Sequence, residues 1–354
     1  DGQPGFLFNT GPAGRCDDYK VGGAMMRWNP VLEKFCIWYY GRSTDFPEGM
    51  APALGSGSVA LTTSDDGLNW ERYDGPLKGG AVMVANPDEN AFDSVHLGTG
   101  DIEWRDGLWH LWYYAGDDGT PESADPTYRH PGYRLHAGLA VSKDGINWQR
   151  RPGNAFGGAI VGNGEDIYGA FPNVYQLGNR TILQVTIKDL DFKGWVTRVW
   201  ASEDLQTWDY LGPMTWSDDP RYYDSNGVIT RQVLRDPGGA GAPWMMIYTA
   251  VDGRPEKKQQ RTIGVAVSDD GLTWRRQFDG PVFVAAEQGA SRSALFCRRP
   301  ELPWLSAKKG LENAGFMRHF ADFPDLYRWR FIKGITETPI PPPRHSIERF
   351  MERD

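Results

Sequence analysis

Ser64-Asp65-Asp66-Gly67-Leu68-Asn69-Trp70 opens a series of four matching phrases, and that series decides the fold. The other three are Ser142-Lys143-Asp144-Gly145-Ile146-Asn147-Trp148, Ser202-Glu203-Asp204-Leu205-Gln206-Thr207-Trp208 and Ser268-Asp269-Asp270-Gly271-Leu272-Thr273-Trp274. Asp-Gly supplies the positive φ of a tight hairpin turn, and the Trp begins the return strand and packs over the turn. Each phrase is therefore a hairpin tip, and recurrence every 60 to 80 residues or so marks a repeat architecture. The Asp residues inside the tips read as turn formers.

Two β-like runs precede each tip, the first aromatic and the second small and β-branched. Phe35–Tyr40 leads to Ser58–Thr62, Leu108–Tyr114 to Ala137–Val141, and Trp244–Thr249 to Ile263–Val267; the third pair, Ile182–Thr186 and Thr197–Ala201, is weaker. Upstream of each lies a segment led by small residues that reads as an innermost strand: Gly22–Trp28, Thr99–Trp104, Gly169–Gln176, Ser225–Val233 and Ala290–Arg298. Four strands per unit, in five units of about 65 residues, predict an all-β five-bladed β-propeller with four-stranded antiparallel blades. The fifth unit has no such tip; it runs through a short insert, Glu301–Phe320, to Tyr327–Ile332. Its last strand is expected from Phe6-Leu7-Phe8, closing the ring so that no sheet edge stays open. The propeller thus takes residues 1–338, and 339–354 form an extended Pro-rich tail, read as a strap on the flank or as a docking arm for a protein partner.

Composition fits a folded chain: 40% hydrophobic, 24% charged and 13% aromatic. Lys plus Arg number 38 against 46 Asp plus Glu, a net charge of −8, with no basic stripe to neutralise a phosphate backbone, so nucleic acid is not an expected partner. The apolar runs are strand-sized, well short of the roughly 20 residues of a membrane helix. Cys16, Cys36 and Cys297 allow at most one bridge. Asp1 in first place is what leader removal would leave, which would suit a secreted or organellar protein, and trimming would leave the same; the compartment stays open.

The inner strands of a small propeller converge on one end of an axial funnel, which gathers acidic residues that are distant in sequence. The candidates are Asp17 and Asp18 before the first inner strand, Asp101 in the second, Glu165 and Asp166 before the third, Asp224 before the fourth and Arg292 in the fifth. Carboxylates facing one another beside an Arg have their pKa values pushed apart, as hydrolysis of a glycosidic bond requires. Tyr168, Phe171, Tyr222 and Tyr223, with Asn173, stand nearest the expected funnel mouth as ligand-binding candidates. Among the histidines only His96 lies close before a funnel strand, and the absence of His-x-x-x-His spacing disfavours zinc. No Gly-x-x-x-x-Gly-Lys loop or Gly-x-Ser-x-Gly elbow occurs, which removes nucleotide hydrolysis and esterase chemistry as leading readings.

These residues resemble the five-bladed propeller glycosidases of the family 43 and 32 type, among them arabinanases, xylosidases and invertases. The most specific element is Gly100-Asp101-Ile102-Glu103-Trp104-Arg105-Asp106-Gly107-Leu108-Trp109-His110-Leu111-Trp112-Tyr113-Tyr114. The resemblance implies a carbohydrate ligand, furanosides or small oligosaccharides, with no required cofactor and a possible structural calcium ion on the axis. It gives Asp101 the task of tuning and orienting the acid, and Asp17 or Asp18 that of general base. The family's general-acid Glu stands two residues before a Pro, where this chain has Ala170 in Gly169-Ala170-Phe171-Pro172. Glu165 or Asp166, from the preceding loop, is the available substitute. The alternative is a propeller of the same lineage without catalysis, serving as a binding or assembly subunit. A six-bladed sialidase-like propeller is weaker, because its repeated box is one residue longer and its Arg triad has no evident source.

Overall fold

The structure, a computed structural model, describes residues 8–45, 57–122, 129–162, 169–188, 194–235, 243–257, 260–284, 293–294 and 320–321. The chain divides into two compact units, one of Leu7–Met214 and one of Asp1–Phe6 with Thr215–Asp354.

Within the first unit lie three four-stranded antiparallel blades. Blade 1 is β1 (Lys20–Asn29), β2 (Lys34–Arg42), β3 (Ser58–Ser64) and β4 (Glu71–Arg72). Blade 2 is β5 (His96–Arg105), β6 (Leu108–Gly116), β7 (Leu135–Ser142) and β8 (Gln149–Arg151). Blade 3 is β9 (Gly169–Leu177), β10 (Arg180–Lys188), β11 (Trp195–Ser202) and β12 (Asp209–Pro213). In the second unit, β13 (Thr215–Trp216) runs parallel to the last strand of blade 4, which is built of β14 (Val228–Arg235), β15 (Trp244–Val251), β16 (Arg261–Ser268) and β17 (Thr273–Arg276), while β18 (Phe283–Val284) pairs with β16. The fold is all-β and propeller-type, and each expected inner strand up to the fourth is found as β1, β5, β9 and β14.

The described residues hold four blades, not five. Of the fifth, only β19 (Ser293–Ala294) and β20 (Phe320–Ala321) are described, as an antiparallel pair. Tyr327–Ile332, most of the insert and the tail lie outside the described residues, as do Phe6 and Leu7. Phe8 adds no strand: its ring packs on Tyr39 at 5.0 Å and under the Arg72 guanidinium at 5.4 Å.

Within the first unit the middle strands are largely buried on both faces, so its blades pack on one another through aromatic and branched side chains. Trp112, Ala137 and Leu139 of blade 2 form one core with Val174, Leu183, Val185, Ile187 and Trp200 of blade 3. Between blades 1 and 2, Trp38 and Trp109 meet at 4.7 Å, the Trp38 indole donates to the Gly145 carbonyl at 2.7 Å, and Asn29 donates to the Asp144 carbonyl at 2.8 Å.

The four tips share one hydrogen-bond plan. In the second, Ser142 Oγ donates to Asp144 Oδ1 at 2.8 Å and accepts from the Gly145 amide at 2.9 Å, while Asp144 Oδ1 also takes the amides of Ile146 and Asn147 at 2.8 and 2.9 Å. Ser64 with Asp66, Ser202 with Asp204 and Ser268 with Asp270 repeat it. Gly67, Gly145 and Gly271 hold φ of 70°, 80° and 75°; Leu205 takes the same place at φ 62°. For a side chain with a Cβ that conformation costs about 1–2 kcal/mol, and the packing of Leu205 and Trp208 against the blade 2–3 core offsets it.

Asp66 and Asp204 are held down to about 2, led by the amides of Asn69 and Thr207; at Asp144 partial burial pushes upward, and the amides of Asn147 and Ile146 outweigh it to leave it also at about 2. Folded pKa values below the unfolded ones add stability above the unfolded value, and it is lost as pH falls through the folded one. The chemical-denaturation midpoint is thus expected to hold down to about pH 4 and to decline toward pH 2, with a shallower decline in an Asp66→Asn, Asp144→Asn, Asp204→Asn variant.

Candidate functional site at the inner strands

Each of the four described inner strands is interrupted by a β-bulge. The register shifts fall at Gly22/Met25 in β1, Thr99/Asp101 in β5, opposite Gln184/Thr186 in β9, and Val228/Arg231 in β14. Bulges bend a strand and re-aim its side chains, and they are common next to functional sites. The residues that follow are Met25, Asp101, Asn173 and Arg231.

Asp101 joins three inner strands. Its Oδ1 accepts from Arg27 Nη2 of β1 at 3.0 Å and from the Ile102 amide at 2.8 Å; its Oδ2 accepts from Asn173 Nδ2 of β9 at 2.6 Å and from the Val174 amide at 3.1 Å. Burial pushes its pKa up, and the Arg27 charge followed by the amides of Val174 and Ile102 and the Asn173 side chain pulls against it. Four donors fill the four lone-pair directions of a carboxylate. Asp101 is therefore built to hold strands and neighbours in position.

Two residues further along β5, Glu103 is in the opposite condition. Its Oε1 is buried and forms no hydrogen bond among the described residues, with Arg105 Nη1 at 3.5 Å as its ion-pair partner. Burial pushes its carboxyl up to about 7, Arg105 pulling down and the Asp101 charge adding to the rise. The sequence reading passed over both Glu103 and Arg27; the alternation that puts residues i and i+2 on one face of a strand was the available signal.

The acidic residues ahead of the inner strands divide into two kinds. Asp17 is wholly buried, accepting from the Tyr39 hydroxyl at 2.9 Å and Arg72 Nε at 2.8 Å, both within blade 1. Asp93, which the sequence reading missed, takes Tyr113 at 2.9 Å and Arg150 at 2.5 Å. Asp224 takes Tyr248 at 2.9 Å and Arg276 at 2.5 Å, with Tyr223 bonded to Tyr248 at 3.1 Å. In each case an Asp before the inner strand is clasped by a Tyr of the second strand and by an Arg two residues past the tip Trp. Burial and the adjoining carboxylate push all three tyrosine hydroxyls far above their ordinary range, which keeps them as donors. Blade 3 breaks the pattern, with Val185 buried in the core and Tyr210 54% exposed at the corresponding positions.

Asp18 stays near the surface. Burial raises its pKa slightly, but the amides of Gly14 and Thr44, at 2.8 and 2.7 Å, and the Thr44 hydroxyl outweigh this and hold it below its ordinary value. Ala170 is fully buried with Tyr114 and Leu135, and Phe171 packs on that cluster. Tyr222 is 49% exposed under the Arg254 guanidinium at 4.5 Å, whereas Tyr223 is buried. His96 is buried at the start of β5, its Nε2 2.9 Å from the Gly132 carbonyl; burial lowers it to about 4, so the ring is neutral at pH 7. Glu165, Asp166, Tyr168 and Arg292 lie outside the described residues. Among the described residues no group of three or more His, Cys, Asp or Glu side chains is placed to hold a metal ion, and no helix is long and apolar enough to cross a membrane.

A glycosyl hydrolase from Bacteroides ovatus superposes over 87% of this chain and 82% of its own, with a TM-score of 0.56 at 12% identity. A Bombyx mori family GH32 β-fructofuranosidase does so over 88% and 61%, at 0.54 and 13%. What these structures share with this chain is the β-propeller fold. An N-acetylgalactosamine deacetylase from F. plautii, solved with blood group B trisaccharide, also carries this fold, over 93% of this chain and 92% of its own, at 0.57 and 14%. No family model matches the chain. A curated relative, an FAD-dependent urate hydroxylase of Xanthomonas campestris, is 26% identical over 216 residues, which span 48% of this chain and 45% of that protein. The chain therefore spans less than half the length of the curated relative it matches.

Removing one partner of a buried ion pair costs about 3–5 kcal/mol. Asp224→Ala, which leaves Arg276 its pair with Asp218 but strips the buried Tyr248 hydroxyl and Arg276 Nε of their acceptor, is expected to lower the unfolding free energy by up to about that much, and Asp18→Ala, at the surface, by under about 1 kcal/mol; urea titration measures both. Glu103 holds a proton in the folded state that it gives up on unfolding, so stability should fall as pH rises from about 4.5 to about 7. Glu103→Gln is expected to flatten that slope.

Proposed function

We propose that this chain is a glycoside hydrolase-like protein that binds or cleaves furanosides or small oligosaccharides at its inner strands, by acid/base chemistry between carboxylates. The observation that carries the reading is the fully hydrogen-bonded Asp101, which ties β1, β5 and β9 together at their bulges. A carboxyl group held by four donors orients its surroundings, which supports the positioning task that the resemblance implies for it. Asp18, held ionised, is the general-base candidate of the described residues. Asp166 and Glu165 are the acid candidates in this reading. In sequence Asp166 stands three residues before β9, as Asp17 and Asp93 stand three before β1 and β5, and blade 3 has Val185 and Tyr210 where the clasps of the other blades have Tyr and Arg. An inverting arrangement would need acid and base roughly 6.5–9.5 Å apart. A fifth blade built from residues beyond 284, and binding contacts from Tyr168, Tyr222 and Arg292, belong to the same proposal. The axial calcium implied by the resemblance has no ligand set among the described residues, and no step is routed through it.

One observation favours a second reading, a binding or assembly subunit that has lost catalysis and uses its tail for a protein partner. Where the related glycosidases carry the acid, Ala170 lies in an apolar core closed by Tyr114 and Leu135. The flavin chemistry in the Xanthomonas relative's name is not part of either reading. Gly55-Ser56-Gly57-Ser58-Val59-Ala60 has the spacing of a dinucleotide fingerprint, but Ser58 opens strand β3 where that motif needs a helix N-terminus.

Turnover of aryl arabinofuranosides, xylosides and fructosides, with calorimetric binding of the matching oligosaccharides, tests both readings. The first expects turnover, reduced about 10²- to 10⁴-fold by Asp166→Asn at an unchanged melting temperature. Binding without turnover supports the second, and neither binding nor turnover on the whole panel sinks both.

A further inference from the structure

Arg42 closes β2 at the end of blade 1 where the inner strand begins. Its carbonyl accepts from the Tyr19 amide at 3.0 Å, and Lys20 of β1 is its register partner. Thr44, two residues on, donates its amide and its hydroxyl to Asp18 at 2.7 and 3.2 Å. Residues i and i+2 share one strand face, so Arg42 lies on the face of Tyr40. A Cβ on Gly57 would meet the Tyr40 ring at 2.6 Å and His96 Nδ1 at 3.2 Å, and the Gly57 carbonyl accepts from the Leu97 amide at 3.2 Å, which sets that face against the entry of β5. Burial and then the Arg42 charge keep His96 down at about 4, as a nearby cation would.

The guanidinium lacks the partner that others in its unit have. Arg27, Arg72, Arg105, Arg134 and Arg150 are half-buried, and each faces a carboxylate within 3.5 Å. Arg42 is half-buried too, but its contacts are with Tyr40: Nε donates to the hydroxyl, and Cζ lies 4.7 Å over the ring. No carboxylate pairs with it among the described residues, and Nη1 and Nη2 have no acceptor there. A guanidinium carries five N–H donors in a planar fork, and the four on Nη1 and Nη2 match the oxygens of a carboxylate or phosphate. Withdrawing a charge from water without a counter-ion is unfavourable, and a like charge directly opposite on the next strand adds to the cost. An arriving anion would relieve both.

We infer that Arg42, with Lys20 across from it, receives an anionic group of the ligand, a carboxylate or a phosphate, at the end of blade 1 that carries Asp18. The sugar part of this rests on the carbohydrate reading above, and the preferred ligand is then a saccharide with an acidic substituent.

Calorimetric titration compares neutral xylo- and fructo-oligosaccharides with their uronic-acid-substituted and phosphorylated counterparts, and uses inorganic phosphate as a sugar-free probe. The unmodified protein is set beside Arg42→Gln, which removes the charge, and Arg42→Lys, which keeps it. The expected result is that uronate-bearing or phosphorylated sugars bind the unmodified protein about tenfold or more tighter than the neutral ones. Arg42→Gln should erase that preference and Arg42→Lys retain part of it, with melting temperatures within about 3 °C of the unmodified protein. Which acidic arm shows the preference identifies the group. Equal affinity for neutral and acidic sugars, or a preference that survives Arg42→Gln, overturns the inference and leaves the carbohydrate reading standing. If no sugar binds, the carbohydrate reading falls; inorganic phosphate binding that Arg42→Gln abolishes would still uphold the anion site, and no phosphate binding would remove it as well. A drop of more than about 6 °C in both variants would make the guanidinium a packing group and overturn the inference.

Discussion

A carboxylate taken out of water inside a sheet protein is tolerated only where donors surround it. That constraint organises this molecule. Asp17, Asp93 and Asp224 are each held between a Tyr hydroxyl and an Arg guanidinium of their own blade, which ties the entry of the inner strand to the second and fourth strands. Asp101 obeys the same rule by another route, drawing its donors from three blades rather than one. Asp17, Asp93 and Asp224 thus each fasten a blade, and Asp101 fastens blades together.

The strand plan was legible because it is written locally. A tip is made within seven residues by Ser and Asp side chains bonding amides two or three positions away, and the runs beside it alternate in chemistry as strands must. The third tip reads clearly despite Leu205, since Ser202 and Asp204 keep their bonds. The site was much less legible. Asp17 and Asp224 look, as letters, like funnel acids; what removes them from solvent is an Arg more than fifty positions away, as for Arg72 and Asp17. The recurring Trp-x-Arg after three tips carried that information, but only a contact across the blade gives it meaning. Alternation could have pointed to Glu103, but its burial, and the reach of Arg27 from β1 to Asp101 on β5, are settled only by how the strands pack.

Blade 3 is where regularity gives way. It lacks the Tyr and Arg of the clasp, it places Leu and Phe where left-handed backbone favours Gly, and it buries Ala170 at the entry of its inner strand. Departures from local rules that gather in one element while its neighbours follow them are the pattern expected where a sequence answers to more than folding.

The second tip does more than turn the chain. Its Asp144 and Gly145 carbonyls are gripped by Asn29 and Trp38, residues that belong to the preceding blade. An outer hairpin of one blade thus finishes the hydrogen bonding of another, and neither can open its edge without exposing buried indole and amide groups on its neighbour. Blades 1 and 2 accordingly make a single cooperative folding unit, and local melting there would spread across the pair instead of stopping at one sheet.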